Sequence, residues 1–380
     1  MKEDLLKILE CPVCHRKLKI GKIRDIYLPS LGIPESIKTG ILICTSCNKR
    51  ILIKEEIPIL SKETEKDDRR LILKIESDKG EIRRMERGDL STKEKEKILE
   101  RKIRRLLPFD EVISKRAEKR LERDLEYRVR FTEKDKYVYT FKPYLTKSPQ
   151  TVLELGIGQG GFLTSARKIL KPKICIGLDT SFNWAEIAKI RDPKTEIIVA
   201  NAEDIPIQKN SIDLVISAYL LEHMRNWQKV IRETRRITHE AFFIFGPNKL
   251  FFYDYGHMGG VPLITFLPTK LGKYLVWLVQ KVKGYRKDLK ECTNELNSMS
   301  YISPFAFEKV VKKFSFSFSN LFLDFIRQTL KSRYQYWKIG YVLKRIEFLV
   351  IFGAKIASFL KIQPVLVYFL KKKNFKQSID

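Results

Sequence analysis

Between Thr151 and Phe245 the chain alternates short apolar runs with longer stretches of helical spacing, and this alternation most restricts the folds open to it. The runs are Thr151 to Leu155, Ile174 to Leu178, Glu196 to Ala200, Ile212 to Ser217 and Phe242 to Phe245. Between them lie helical stretches at Gly161 to Leu170, Phe182 to Ile190 and Trp227 to Ile237. Apolar runs without polar alternation suit strands covered on both faces, so an α/β sheet of parallel strands flanked by helices is expected. Phe314 to Ser319 instead alternates Phe and Ser with a period of two, as a half-buried strand would, and Pro364 to Leu370 could be a final strand.

The 380 residues allow two to three domains at roughly 150 residues each. A content of 44% hydrophobic and 32% charged residues excludes both a disordered chain and a polytopic membrane protein. The net charge of +28 favours anionic partners, and half of it is in the last third, where residues 251–380 hold 22 basic and 8 acidic side chains, net +14. Six cysteines and an opening Met1-Lys2-Glu3-Asp4 with no apolar leader point to a reducing, cytoplasmic compartment. Every greasy C-terminal stretch is broken by Lys or Arg, which argues against a spanning helix and leaves a peripheral position at the inner membrane surface open.

Three regions are expected: a loop-rich module over 1–60, a charged helical connector over 61–140, and an α/β domain over 141–380 with a basic, apolar C-terminal elaboration. In the first, Cys11-Pro12-Val13-Cys14 and Cys44-Thr45-Ser46-Cys47 are C-x2-C pairs separated by 29 residues. Two such knuckles brought together make a four-sulfur tetrahedral site suited to zinc, with no open position, so the metal is expected to be structural. His15 reads as a surface neighbour and Cys175 as a buried thiol. The connector, with its interleaved charges and isolated Leu and Ile, reads as solvated helices bridging two domains.

Val152 to Gly161 runs from a strand into a helix through Gly156, Gly158 and Gly160, which let the backbone turn sharply and approach a ligand at the carboxyl end of the first strand. The spacing is G-x-G-x-G, not the G-x-G-x-x-G of dinucleotide sites. Asp179 ends the next strand 23 residues beyond Gly156, placed to accept ribose hydroxyls. Asn201 and Ala202 follow the third strand in a polar turn, and Ala218, Tyr219, Glu222 and His223 follow the fourth. Four loops at one sheet edge make a nucleoside pocket.

These residues, in this order, resemble the class I S-adenosylmethionine-dependent methyltransferases, in the type 11-like branch whose first motif reads close to L-[DE]-x-G-x-G-x-G and whose fourth strand leads into L-E-H. The likeness covers about 150–250 and implies a Rossmann-like sheet. By it, Gly156, Gly158 and Gly160 would face the methionine and ribose part of S-adenosylmethionine, Glu154 its amino group, Asp179 its ribose, and Asn201 and Ala202 its adenine. The family usually has Asp where Asn201 stands, which removes charge assistance at that hydrogen bond. Leu5 to Cys14, with Cys44 to Cys47 and Ile57-Pro58-Ile59-Leu60, resembles the small zinc ribbon that partners or is fused to methyltransferases.

Methyl transfer from an activated sulfonium needs mainly alignment, plus a base for a hydroxyl or amine acceptor. The candidates are Tyr219, beside the expected methyl, His223, as a base or as an ordering residue of its loop, and His257, with Asp254 and Tyr255 on a Gly-rich segment. Apolar stripes at Leu271 to Val279 and Phe348 to Leu360, flanked by Lys273, Lys281, Lys355 and Lys361, are what a helix lying on an anionic leaflet carries. A lipid-linked or glycan-type acceptor follows, with peripheral membrane contact. Nucleic acid is the alternative, because a zinc ribbon ahead of a class I domain also resembles ribosomal RNA methyltransferases and the charge suits phosphates. A third option is a non-catalytic platform with a degenerate fold. Oligomeric state is not legible.

Overall fold

In the computed structural model, the residues described are 1–29, 34–62, 66–86, 91–130, 134–252, 261–334 and 347–372. Two sheets organise them. The N-terminal sheet contains β1 (Leu18–Tyr27), β2 (Ser36–Cys44), β3 (Arg50–Lys54), β4 (Ile57–Pro58) and β5 (Arg83–Met85) in the order β4-β3-β2-β1-β5. Strand β1 was not legible in the sequence: Gly21 interrupts its alternation, and three register irregularities against β2 leave most of it half-exposed.

The second sheet contains β6 (Thr151–Leu155), β7 (Ile174–Asp179), β8 (Glu196–Val199), β9 (Ile212–Ala218), β10 (Thr238–Pro247), β11 (Phe316–Asn320) and β12 (Val365–Lys372). Its order is β11-β12-β10-β9-β6-β7-β8, parallel from β8 through β10, with β12 antiparallel to both β10 and β11. The first four strands match the expected ranges closely, and the mixed α/β class is as expected. β11 starts later than the Phe/Ser alternation suggested, because Phe314 caps the helix α11 (Pro304–Lys313; helices are numbered in chain order) and Ser315 takes a φ of 57° before the strand begins. The order reverses between β6 and β9, which opens a crevice at their carboxyl ends.

The connector does not behave as one solvated bridge. Helix α2 (Lys66–Ser77) lays Ile72 and Ile75 on Ile41 and Leu52 of the N-terminal sheet. Helices α3 (Thr92–Arg104) and α4 (Lys115–Arg130) put Leu99, Ile103 and Leu125 against Ile187 of α7 (Phe182–Arg191). Helix α5 (Asp135–Phe141) crosses the expected boundary at 140/141 and enters the domain core, where Tyr137 and Phe141 meet Phe162, Phe243 and Phe245.

Besides the cluster under α2, the N-terminal module shares a core with the domain: Leu5, Leu9 and Leu60 are buried with Leu178, Ile198, Ile205 and Ile207. Backbone pairing joins them as well. The Leu60 amide donates to the Val199 carbonyl at 2.7 Å, so the chain after β4 extends the edge of β8, while the Glu10 amide donates to Pro206 and the Gln208 amide to Ile8. Glu196 opens β8 with its carboxylate buried, 3.0 Å from Lys2 Nζ and accepting from the Lys2 amide. Burial raises its pKa, but Lys189, the amino terminus and Lys2 together outweigh burial and hold it at about 2. A depressed carboxylate stabilises the fold fully above its unfolded value near 4.5, and the contribution is lost as pH falls toward 2. Glu196→Gln should therefore cost about 3 kcal/mol at neutral pH, as breaking a buried pair does. In urea titrations across a pH series, the variant's stability should also fall less steeply than the parent's through that acid window.

Candidate active site and metal centre

The three glycines all take positive φ, 70° at Gly156, 49° at Gly158 and 81° at Gly160, but they serve different ends. A Cβ at Gly156 would lie 3.0 Å from Leu220 and one at Gly160 3.1 Å from Ala188, so these two are close-packing positions. At Gly158 a Cβ would meet nothing within 4 Å; the backbone there faces open space. The amides of Gly156 and Ile157 donate to the Leu178 carbonyl, anchoring the turn to β7. Asp179, at the tip of β7, accepts from the Gly158 amide at 3.0 Å and from the Ser181 amide at 2.9 Å. Burial raises its pKa and those two amides oppose the rise.

A cavity of about 260 Å³ opens at the strand reversal. Glu154, Gly156, Ile157 and Gly158 form its floor, Ala218 and Tyr219 one wall, and Tyr127, Arg128, Lys134 and Tyr137 its cover. Burial pushes the Glu154 carboxyl well above its ordinary value, against the Leu163 amide that donates to it at 2.9 Å and the nearby Lys134. Lys134 is lowered, first by its own burial and then by Arg128. Tyr219 holds a φ of 56°, costly for a residue with a Cβ; its amide donates to the Phe245 carbonyl and its ring meets Phe245 edge-on at 5.1 Å. Strain of this kind at a cleft is a recurrent mark of functional positions.

The structure thus brings together Glu154, Gly156, Gly158, Ala218 and Tyr219, with Asp179 behind the Gly158 amide. Gly160 is the N-cap of helix α6 (Gly161–Leu170) and does not itself line the cavity, although Gln159 and Gly161 on either side of it do. The Asn201 side-chain oxygen accepts from the Glu203 amide at 2.8 Å, closing its own turn, and Ala202 is buried; neither lines the cavity. His223 is exposed and lines a separate polar pocket of about 310 Å³ with Arg225, Asn294, Asn297 and Ser300. His257, Asp254 and Tyr255 lie outside the described residues. Cys175 is buried, and burial pushes its thiol up to about 12.

Sequence reasoning missed the cover. It is held by Arg191, whose Nε donates to the Gln159 carbonyl of the glycine turn while its Nη atoms donate to the Arg128 and Val129 carbonyls at the end of α4. The signal that could have found it is the stripe of Ala117, Leu121 and Leu125 at helical spacing, which shows that α4 packs against something.

At the N-terminus the four sulfurs of Cys11, Cys14, Cys44 and Cys47 all lie within 4.8 Å of one another, with Cys11–Cys47 at 3.6 Å, Cys14–Cys44 at 3.4 Å and Cys14–Cys47 at 3.5 Å. A tetrahedron built on Zn–S bonds of about 2.3 Å has edges near these lengths, so the donor set fits zinc. The Ser46 and Cys47 amides donate to Cys44 Sγ, and with the neighbouring thiols they outweigh burial and bring Cys44 to about 6. His15 stays outside the cluster, pairing with Glu10 and Asp204.

Residues 153–244 match the family model described as a methyltransferase domain. An uncharacterized protein of Methanocaldococcus jannaschii is 36% identical over 100 residues, 26% of this chain and 37% of that protein. The demethylmenaquinone methyltransferase of Thermotoga maritima is 30% identical over 93 residues, 24% of this chain and 41% of that protein. The chain thus spans less than half the length of these relatives. Among solved structures, the plantazolicin methyltransferase BamL is 12% identical, covering 68% of this chain and 90% of that one with a TM-score of 0.39. The strand order, the glycine turn and the family match define a class I methyltransferase fold. Residues 153–244 therefore carry a methyltransferase domain of that fold, and the resemblance of their motifs implies S-adenosylmethionine as the cofactor.

The residues present are compatible with that cofactor: Gly158 offers backbone without a Cβ, Asp179 lies behind its amide, and the buried Glu154 carboxyl lines the cavity, the positions that the resemblance assigns to ribose and amine contacts. A side chain at 158 would project into open space and its left-handed backbone would cost about 1–2 kcal/mol, so Gly158→Arg should leave the domain folded. It should weaken binding of S-adenosylhomocysteine by at least about tenfold in calorimetric titration. Gly160→Val, whose side chain drives into Ala188, should mainly lower the melting temperature.

Proposed function

We propose that the protein transfers the methyl group of S-adenosylmethionine to a lipid-linked or glycan-type small-molecule acceptor, and that the four cysteines hold a structural zinc. The observation that carries the reading is Gly158: a left-handed backbone facing open space at the strand reversal, with its amide fixed on Asp179. When bound, the sulfonium supplies an already activated methyl group. The chain's work is then alignment. The glycine turn offers backbone close to the donor, Glu154 stays buried near the amine position, and Tyr127, Arg128 and Lys134 line the side of the cavity contributed by the connector. Tyr219 is held rigidly at the mouth by its strained backbone and by Phe245. Four residues on, the pocket of His223, Arg225, Asn294 and Asn297 offers donors and acceptors suited to a hydroxylated or phosphorylated headgroup, with His223 as the proton acceptor.

Incubation of fractionated cell extract with isotopically labelled donor, followed by mass spectrometry, tests this directly. Label should enter the lipid or glycan fraction; label in RNA would replace the acceptor proposed here, and absence of donor binding would make the domain a platform. For the metal, the purified chain should carry about one zinc, and Cys11→Ser with Cys44→Ser should lose it. Because one face of the module shares a core with the domain, that variant should also unfold at lower temperature, whereas a ribbon docked as an independent bead would leave the domain's transition unchanged.

A further inference from the structure

Helix α13 (Glu347–Phe359) is packed the wrong way round for a helix of a water-bathed domain. Its small residues face inward: Ala354 is 8% exposed, and Ala357 and Ser358 are half-buried. Its large apolar residues face out, with Phe348 77% exposed, Phe352 54%, Ile356 45% and Phe359 85%. Positions 348, 352, 356 and 359 are spaced by four, four and three, so they form one stripe along the helix. The stripe continues past the helix into Leu360 and Ile362, also exposed.

Three observations say what covers it. First, the charge fits one kind of surface: the last third of the chain carries net +14 and Lys355 flanks the stripe, while Lys361, 4.7 Å over the Phe305 ring, is paired with Glu308. An isologous contact with a second copy would set like charge on like charge, and interface cores are depleted of Lys. Second, α9 (Thr269–Lys283) repeats the pattern, exposing Leu271, Tyr274, Leu278 and Val282 with Lys273 over the Tyr274 ring and Lys281 over the Trp277 ring. Aliphatic side chains interleaved with lysine-capped aromatics suit the headgroup boundary and give nucleobases little to stack on. Third, no helix among the described residues is long and apolar enough to cross a membrane, so contact would be in the plane of the leaflet.

We propose that the outward stripe of α13, with Leu360 and Ile362 beyond it, seats the protein on the surface of an anionic phospholipid bilayer. This goes beyond the methyl-transfer reading and does not depend on it. The test is flotation of the full chain with phosphatidylcholine vesicles containing about one-third phosphatidylglycerol, compared with phosphatidylcholine alone. The parent should float with the anionic vesicles, at least about tenfold better than with neutral ones. Phe352→Ser with Phe359→Ser should lower that partition by about tenfold or more, since each removes an inserted aromatic. Both side chains are exposed, so the variant's melting temperature and its affinity for S-adenosylhomocysteine should match the parent's; Phe348→Ser with Leu349→Ser provides a second pair at the other end of the helix. The proposal is overturned if both pairs float as well as the parent, which would leave bare electrostatic adsorption, or if the parent floats with neither vesicle. A parent that elutes as a dimer, split by the Phe352/Phe359 pair and indifferent to vesicles, would make a second copy the occupant instead.

Discussion

The hydrogen bond from the Leu60 amide to the Val199 carbonyl closes the outer edge of the large sheet, and much of the rest of the chain is arranged around that closure. β8 has only four residues and would otherwise present an unpaired edge, which natural proteins cover or charge. Here it is covered by a module whose own strands meet at the four-cysteine cluster. The geometry of the cluster therefore reaches the domain directly, because the knuckle at Cys11 follows Glu10, whose amide pairs with Pro206, and the second knuckle precedes β3 and β4. A metal held there would stiffen the edge as well as the module.

Helix α7 carries this arrangement inward. Lys189 lies between Glu56 of the N-terminal module and the carbonyls of Pro193 and Thr195, two residues before Arg191 ties the glycine turn to the end of α4. Ile187, on the same helix, receives Leu99, Ile103 and Leu125 from the connector. One ten-residue helix thus touches the module, the connector and the cofactor turn. That is why the cavity is small: at about 260 Å³ it falls below the roughly 300–1,000 Å³ usual for ligand pockets, because residues from the connector occupy its mouth.

How much of this could be read beforehand follows from which interactions are local. The strands β6 to β9 and the helices α6 and α8 (Trp227–Ile237) were legible to within a residue or so, since their boundaries are set by Gly156, Asp179 and the Asn226 cap rather than by distant contacts. The glycine turn was legible as a turn, but its division of labour was not: whether a Cβ meets Ala188, Leu220 or nothing depends on helices elsewhere in the chain. Asn201 could be placed after β8, yet its side-chain oxygen is used by the Glu203 amide two residues on, a local competitor that a polar residue in a turn always has. The connector was least legible. Its interleaved charges read as solvation, while its few apolar side chains, Leu99, Ile103 and Leu125, decide where it lies.

Strand β12 adds a constraint that bears on the apolar surface. Because β12 runs antiparallel to β10, with Val365 opposite Pro247, the segment leading into it must arrive at the carboxyl edge of the parallel strands, the edge on which the cavity opens. Asn248 fixes that arrival, its side-chain amide donating to the carbonyls of Lys361 and Gln363. The end of α13 and the exposed Leu360 and Ile362 are therefore held at the edge on which the cavity opens by strand direction, whatever their sequence. A helix inserted before a parallel strand would arrive at the opposite edge, remote from the cleft. The antiparallel seventh strand thus allows the chain to combine a surface rich in Phe and Lys with a cofactor turn at one rim. On the two readings proposed above, a bulky apolar acceptor would reach Tyr219 from that rim without leaving the bilayer surface.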